Sequence, residues 1–128
     1  EDYLPERGQI IVFKNPHYSR GIEDEYIVKR VIGLPGERVV LQNGVFTVYN
    51  DEHPEGFNPD DDNNGEPGTP TTGEVNTVVP NGSLFVAGDH RTGTYSDDSR
   101  NGLGTIPLYD VIGPVGIRIF PFTEMRFF

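Results

Sequence analysis

The amino-acid sequence predicts an all-β fold, mainly antiparallel, with a polar, loop-rich insertion. Two observations carry this prediction: the chain contains 16 Gly and 11 Pro, and its apolar residues occur in short runs of Val, Ile and Phe between these turn formers. No apolar run approaches the roughly 20 residues that cross a bilayer as a helix. With 128 residues, of which 34% are hydrophobic, the chain can bury one core, so we expect a single domain over residues 1–128.

Four strands are predicted in the first half of the chain. Residues 9–13, QIIVF, form a short apolar run, and residues 26–33, YIVKRVIG, form a second. Each run is closed by turn formers, Asn-Pro after the first and Leu-Pro-Gly after the second, as is typical of buried strands. A hairpin is predicted next, because residues 37–42 and 45–49 flank an Asn-Gly pair, the preferred centre of a type I′ turn.

A polar stretch interrupts the strands before they resume. Residues 50–76 are rich in Asp, Glu, Asn, Gly, Pro and Thr, with only Phe57 and Val75 as large apolar residues. Because such a composition buries little surface, we predict an exposed insertion here. Further strands are predicted in residues 75–80, 83–88 and 105–120.

Composition excludes several classes of partner and chemistry. The formal net charge of -10 argues against attraction to nucleic acid or to anionic lipid headgroups. The chain has no cysteine, which excludes disulfides and thiol-based sites. Because the chain begins at Glu1 rather than Met, we expect it to be a fragment of a longer protein.

Lys29 is one of two lysines in a chain with eight arginines. In a strand its side chain shares a face with Ile27 and Val31, whereas Arg30 points to the other face. An ammonium group on an apolar face loses hydration, which lowers its pKa towards the range of a general base, and an arginine could not give up its proton. The alternative is a lysine near a strand edge that extends its amine into water.

A dense group of charges lies in residues 88–100, GDHRTGTYSDDSR, directly after the predicted strand SLFVA. The segment contains three aspartates, two arginines and two serines. Interleaved charges of both signs at this density predict a fixed network that shapes a site. The alternative is a solvated turn with ordinary surface ion pairs.

Three segments together resemble the bacterial type I signal peptidases. Residues 28–37, VKRVIGLPGE, are similar to the family block K-R-V-I-G-L-P-G-D, and residues 88–100 are similar to the later block G-D-N-R-x-x-S-x-D-S-R. Residues 7–16, RGQIIVFKNP, resemble the upstream segment R-G-D-I-V-V-F. The segments occur in the family's order, and the resemblance covers nearly all of the chain outside residues 50–76.

The resemblance implies a serine endopeptidase with a Ser/Lys dyad, which needs no cofactor and no metal. Lys29 matches the general base of this family, which takes the proton from a serine hydroxyl. Ser96 matches a loop serine that orients the lysine. The charged residues that hold this loop beside the dyad are matched by Asp89, Arg91, Asp98 and Arg100.

The sequence departs from the family pattern in several places. His90 replaces the usual asparagine, Glu37 replaces the usual aspartate, and the charged loop is two residues longer, which leaves the placement of Ser96 open. The family's nucleophile sits in an S-M-x-P block, and no serine in this chain is followed by Met-x-Pro. We therefore expect the nucleophile and the oxyanion-hole donors of that block to be missing here, and this chain to be inactive as it stands.

The resemblance also implies a substrate class and a location. The substrates are expected to be signal peptides of secretory preproteins, with small residues at the cleavage site. A membrane anchor and the serine block are expected upstream of Glu1, with the domain on the extracytoplasmic face of the cell membrane. Two alternatives stay open: a non-catalytic relative that binds pilin or other secreted partners, and an autoproteolytic repressor of the related Ser/Lys class.

The acidic segment, the histidines and the C-terminal residues bear on metal binding and membrane contact. Asp60, Asp62, Asn64 and Gly65 reproduce the opening of a calcium loop, but Thr71 stands where a bidentate Glu is required, which favours a solvated acidic segment. The three histidines lack the spacing of a zinc site. The terminal PFTEMRFF either dips into a membrane or packs on the core.

Overall fold

The computed structural model describes residues 3–18, 25–63, 70–92 and 97–115. Within these ranges the chain forms strands and two short 3₁₀-helices, so the prediction of an all-β fold is confirmed. The strands are β1 (Ile10–Lys14), β2 (Tyr26–Gly33), β3 (Arg38–Gln42), β4 (Val45–Tyr49), β5 (Val75–Val78), β6 (Ser83–Ala87), β7 (Ile106–Pro107) and β8 (Val111–Pro114). The 3₁₀-helices are Pro59–Asn63 and Leu108–Asp110. No helix among the described residues is long and apolar enough to span a membrane.

The strands pair antiparallel in two sheets. One sheet has five strands in the order β7-β6-β2-β1-β8, and the other has three in the order β4-β3-β5. β2 is the central strand of the larger sheet, where its first half pairs with β1 and its second half with β6. Arg30 of β2 is paired on both sides, with Ile10 and with Ala87. The middle of β2 is therefore held by backbone hydrogen bonds from both neighbours.

β3 and β4 form the hairpin that the Asn-Gly pair predicts. Asn43 has φ +53° and Gly44 has φ +81°, the two positive values that a type I′ turn requires. The ladder is closed by Gln42 opposite Val45, directly beside the turn. β5 pairs with the other edge of β3 and completes the smaller sheet.

Two hydrophobic clusters lie on opposite faces of β2 and β6, because successive side chains along a strand point to opposite faces. The first cluster packs the smaller sheet against the larger one. Its buried members are Ile32, Val39, Leu41, Phe46, Val48, Val79, Phe85 and Ala87. The second cluster occupies the other face. Its buried members are Ile11, Phe13, Val31, Leu84, Val86, Leu103 and Ile106.

The polar stretch of residues 50–76 contains buried as well as exposed side chains. Phe57 bridges to Val48 of β4 and packs against the first cluster. Asp60, in the first 3₁₀-helix, is only 1% exposed, and Thr71 is 2% exposed. Single polar side chains therefore anchor a segment whose composition predicts exposure, because each finds a partner in a distant part of the chain. Residues 64–69 lie outside the described ranges.

The segment predicted as one last strand, residues 105–120, is divided. The short strand β7 is followed by the second 3₁₀-helix and then by β8. Pro107 lacks the N–H group that a continuous ladder needs, which accounts for the interruption after β7. The alternation expected beyond residue 115 and the terminal PFTEMRFF fall outside the described residues.

Candidate active site

β2 carries Lys29 into the interior of the larger sheet. The residue is 4% exposed and pairs with Ile11 of β1. Its strand neighbours Ile27 and Val31 belong to the second cluster, and Arg30 turns the other way to reach Asp89, as the alternation predicts. Lys29 is thus buried on an apolar face, in contrast to the alternative in which its amine extends into water.

Burial lowers the pKa of Lys29 below the usual 10.5 of a lysine. The nearby charges oppose one another, since Asp98 raises the pKa, Arg100 lowers it, and Asp97 and Asp89 raise it further. Within the described ranges, no side chain or carbonyl accepts a hydrogen bond from the Lys29 amine. The environment therefore favours the neutral amine, the form that a general base needs.

Asp98 and Arg100 form a buried pair next to this lysine. Both side chains have no exposed surface, and Arg100 Nη2 lies 2.8 Å from Asp98 Oδ2. The same carboxylate accepts hydrogen bonds from the backbone N–H of Gly88 at 2.9 Å and of Arg100 at 2.9 Å. Arg100 also donates to the carbonyls of His90 at 3.3 Å and Thr72 at 2.9 Å. The pair ties both ends of the charged loop together.

Arg91 points into the core and is paired with Asp60. Its Nη1 lies 2.8 Å from Asp60 Oδ2 and its Nη2 lies 3.1 Å from Asp60 Oδ1. Its Nε donates to the carbonyl of Gly88 at 2.6 Å. Both oxygens of Asp60, the first position of the calcium-loop pattern, accept from this guanidinium. Asn64 and Gly65 of that pattern lie outside the described residues. No group of carboxylates and histidines suited to a metal occurs among the described residues.

Asp89 is paired with Arg30, the residue that follows the lysine. Arg30 Nε donates to Asp89 Oδ1 at 2.8 Å and Arg30 Nη2 donates to Oδ2 at 2.7 Å, while Nη1 donates to the Gly8 carbonyl at 2.8 Å. The two side chains are 15% and 28% exposed. The charged loop is thus fixed by ion pairs of which two are fully buried, unlike a turn with ordinary surface pairs.

Glu37 fixes the turn after β2 through a partner, Arg7, that the sequence does not predict. Arg7 forms a two-pronged ion pair with Glu37, in which Nη2 lies 2.9 Å from Oε2. Glu37 also accepts hydrogen bonds from the Leu34 N–H and the Asn50 amide, each at 2.7 Å. Burial alone would raise the pKa of Glu37, but the hydrogen bonds from Arg7, Asn50 and Leu34 outweigh it and hold the pKa below its usual value.

Of the two serines in the charged loop, only Ser99 lies among the described residues. Ser96, expected to orient Lys29, lies outside the described residues. Ser99 accepts a hydrogen bond from the Val86 N–H at 2.9 Å and donates to the Gly104 carbonyl at 2.7 Å. Its hydroxyl therefore secures the end of β6.

The partners of the predicted site residues were not evident from the sequence. Arg30 was expected to point away from Lys29, but nothing local connected it with Asp89, 59 residues later. Asp60 stood in a possible calcium loop, 31 residues from Arg91. The signal available was indirect: Arg30 and Asp89 both belong to family blocks, whereas in the pair of Arg91 with Asp60 only Arg91 does.

Comparison with known proteins identifies relatives of this chain. Residues 2–120 match the family described as signal peptidase, peptidase S26. The chain is 35% identical over 121 residues to signal peptidase I U of Bacillus subtilis strain 168, covering 94% of this chain and 61% of that protein. It is 32% identical over 139 residues to signal peptidase IB of Staphylococcus aureus strain MRSA252, covering 95% of this chain and 64% of that protein.

A solved structure shows the same fold. The crystal structure of a signal peptidase I from Enterococcus faecalis V583 matches with a TM-score of 0.60 and 26% sequence identity, covering 91% of this chain and 100% of that one. This chain therefore spans less than two thirds of the length of the two curated relatives, and nearly the whole of it matches the family. The resemblance of the sequence motifs is confirmed, and the chain belongs to the signal peptidase family, peptidase S26.

Proposed function

We propose that this chain is the catalytic-domain part of a signal peptidase I, a membrane-associated serine endopeptidase that uses a Ser/Lys dyad. The observation that carries the proposal is Lys29, a buried lysine with a lowered pKa on the central strand of a sheet. A lysine enclosed in this way is poorly suited to a purely structural role, because its charge costs free energy to desolvate. A lowered pKa is what the chemistry of a general base requires.

Lys29 would act twice in the reaction. Its neutral amine takes the proton of a serine hydroxyl as the serine oxygen attacks the scissile carbonyl, and the ammonium then gives that proton to the departing amine. The resulting acyl-enzyme is hydrolysed when Lys29 takes a proton from water and the water oxygen attacks the ester carbonyl. The bond from the carbonyl carbon to the serine oxygen then breaks, and the ammonium returns the proton to that oxygen. Neither step needs a cofactor.

The remaining site residues are proposed to support this lysine. Ser96 would orient the amine through a hydrogen bond, as the loop serine of the family does. Asp89, Arg91, Asp98 and Arg100 would hold the loop that encloses the amine, each through the ion pair described above. Their charge-assisted hydrogen bonds are strong enough for this role: those of Arg91 and of Asp98 with Arg100 are buried, and that of Asp89 is partly exposed.

The nucleophile is proposed to lie outside these 128 residues. No serine of the chain is followed by Met-x-Pro, so the chain alone is expected to be inactive. In the intact protein we expect an N-terminal anchor to hold the domain on the extracytoplasmic face of the cell membrane. Its substrates would be signal peptides of secretory preproteins, and the composition gives no reason to expect nucleic acid as a partner.

A second candidate follows from the same missing motif. A non-catalytic signal-peptidase-like protein that binds pilin or other secreted partners would also lack the S-M-x-P serine. The two candidates differ in their need for Lys29, because a binding protein would tolerate the loss of its amine and a peptidase would not.

The test begins with the coding DNA upstream of Glu1, where an S-M-x-P block is expected. The full-length gene product is then assayed on a fluorogenic signal-peptide substrate as wild type, Lys29→Ala and Lys14→Ala. Loss of a general base is expected to reduce the turnover by about 10²–10⁴-fold in Lys29→Ala. Lys14 is exposed and serves as the matched control, with unchanged activity expected. Full activity of Lys29→Ala, or an upstream sequence without the serine block, would refute the peptidase and favour the binding protein.

A further inference from the structure

Asp60 is a buried carboxylate in the middle of a polar, mostly exposed stretch. It lies in the 3₁₀-helix Pro59–Asn63, and its side chain is 1% exposed. The following residue of the same helix, Asp61, is exposed to solvent. A carboxylate loses much hydration at such a site, so its two-pronged pair with Arg91 is a specific feature of the fold.

Arg91 connects Asp60 to residues 87–89 at the end of β6, which we call the Gly88 turn. The Arg91 side chain is 3% exposed and lies with its guanidinium carbon 5.5 Å from the centre of the Phe46 ring. While its Nη atoms bind Asp60, its Nε donates to the Gly88 carbonyl at 2.6 Å and Nη1 also reaches Thr71 Oγ1 at 3.3 Å. Asp60 thus binds the two Nη atoms of the Arg91 guanidinium, while the Nε atom binds the Gly88 carbonyl.

The Gly88 turn lies next to the part of β2 that carries Lys29. β6 pairs with β2 as far as Ala87 opposite Arg30, the residue after Lys29, and Gly88 directly follows Ala87. The Gly88 N–H is held by Asp98 at 2.9 Å, and its carbonyl is held by Arg91. Both peptide groups of this glycine are therefore fixed by charged side chains, one from the loop itself and one that depends on Asp60.

We propose that Asp60 is a positioning residue for Lys29: by fixing Arg91, it holds the Gly88 turn in the position that keeps the lysine amine enclosed. The inference extends the proposed function, since it concerns the same lysine. Without the carboxylate, Arg91 would carry an unpaired charge in the core and would turn towards water, which releases the Gly88 carbonyl and opens the turn.

The direction in which the pKa of Lys29 changes on loss of the Asp60 charge distinguishes a positioning role from a direct electrostatic effect. Removing a negative charge stabilises the neutral form of a nearby lysine and would lower its pKa. Opening the turn hydrates the amine and raises its pKa, because burial is the largest influence on this group and outweighs the opposing charges. The facing charges, which stay in place in this experiment, are Asp89, Asp97, Asp98 and Arg100.

The experiment uses the 128-residue chain with ¹³C-labelled lysine, in which only Lys14 and Lys29 titrate. The side-chain resonances are followed between pH 6 and 11 in wild type, Asp60→Asn and the matched control Asp61→Asn. We expect the Lys29 midpoint to move upward, towards that of the exposed Lys14, in Asp60→Asn and to stay unchanged in Asp61→Asn. A midpoint that stays put or falls in Asp60→Asn, with the fold retained, overturns the proposal.

A double variant covers the case in which Asp60→Asn does not fold. Asp60→Asn with Arg91→Met removes both charges and restores an apolar contact, so a higher Tm than that of the single variant is expected. The Gly88 carbonyl still lacks its donor, so the Lys29 midpoint is expected to stay raised. A return of the midpoint to the wild-type value would show that Asp60 serves stability alone. Because the readout needs no catalysis, an inactive full-length protein would refute the proposed function without touching this result.

Discussion

Lys29 lies in an environment that is unusual for a lysine, since only 4% of it is exposed. The chain places an amine where its strand neighbours Ile27 and Val31 pack into a hydrophobic cluster. Within the described part of the chain no hydrogen-bond acceptor compensates for the lost water. Such a lysine does not stabilise the fold, because its charged form is costly to bury. Its neutral form can accept a proton, which suits it to a reaction.

Burial of the Lys29 ammonium group costs folding free energy. Burial holds the pKa of Lys29 below the 10.5 of an unfolded chain. Below the folded-state pKa both states carry the proton and the penalty is complete, whereas above 10.5 both are neutral and it disappears. We therefore expect Lys29→Met to raise the free energy of unfolding by about 1–3 kcal/mol at pH 7, with a gain that shrinks as pH rises towards 10.5.

Urea denaturation of wild type and Lys29→Met at several pH values between 7 and 10.5 measures this difference. Lys14→Met changes the same functional group at an exposed position and should alter stability little at any pH. An equal gain at every pH would mean that the amine is not desolvated in the folded protein.

At the scale of elements, the turn between β2 and β3 depends on the carboxylate of Glu37, which directly precedes β3. Glu37 accepts from Arg7 near the start of β1, from the Leu34 N–H and from Asn50 after β4. The Glu37 side chain thus joins the segment before β1, the turn between β2 and β3, and the segment after β4, which the backbone ladders do not link. It fixes the turn that follows β2, the strand that carries Lys29.

We expect Glu37→Gln to lower the free energy of unfolding by about 3 kcal/mol at pH 7, because it leaves Arg7 half-buried without its counter-charge. The hydrogen bonds keep the folded-state pKa of Glu37 below its usual 4.5, so this contribution is complete above 4.5 and is lost as pH falls through the folded-state pKa. Thermal or urea unfolding from pH 7 down to pH 2 should show the two proteins converging. Glu52→Gln, an exposed substitution, is the control, and a difference that persists in acid would contradict the assignment.

The local elements were largely predictable, and the contacts between them were not. Alternation along residues 26–33 predicted which way Lys29 and Arg30 point, and Asn-Gly predicted the hairpin, since both signals depend only on neighbouring residues. The pairing of Asp60 with Arg91 depends on tertiary structure, which no local pattern encodes. For the same reason, composition predicted an exposed insertion and missed its buried carboxylate.

At the scale of the whole molecule, β2 and β6 belong to both hydrophobic clusters. Ile32 and Phe85 face one cluster, while Val31 and Leu84 face the other. Loss of either cluster exposes one face of the same two strands. Neither sheet is expected to remain folded without the other, which bears on the expectation of a single domain.

We therefore predict one cooperative unfolding transition. Leu41→Ala in the first cluster and Leu84→Ala in the second should each cost about 2–5 kcal/mol and shift the same transition. Circular dichroism and tyrosine fluorescence, followed in parallel during urea denaturation, should give coincident curves for both variants. Two separated transitions, with each variant shifting a different one, would show two independently folding units.

The long sequence separations around Lys29 bear on the order in which the chain folds. Arg91 meets its carboxylate 31 residues away, and Arg30 meets its own 59 residues away. Closing such loops costs chain entropy before any contact compensates, so we expect these contacts to form after the local hairpin of β3 and β4. Until then Lys29 is an ordinary hydrated and protonated lysine. Under the proposed function, a molecule in which these loops have not closed would carry a hydrated lysine in place of a competent base.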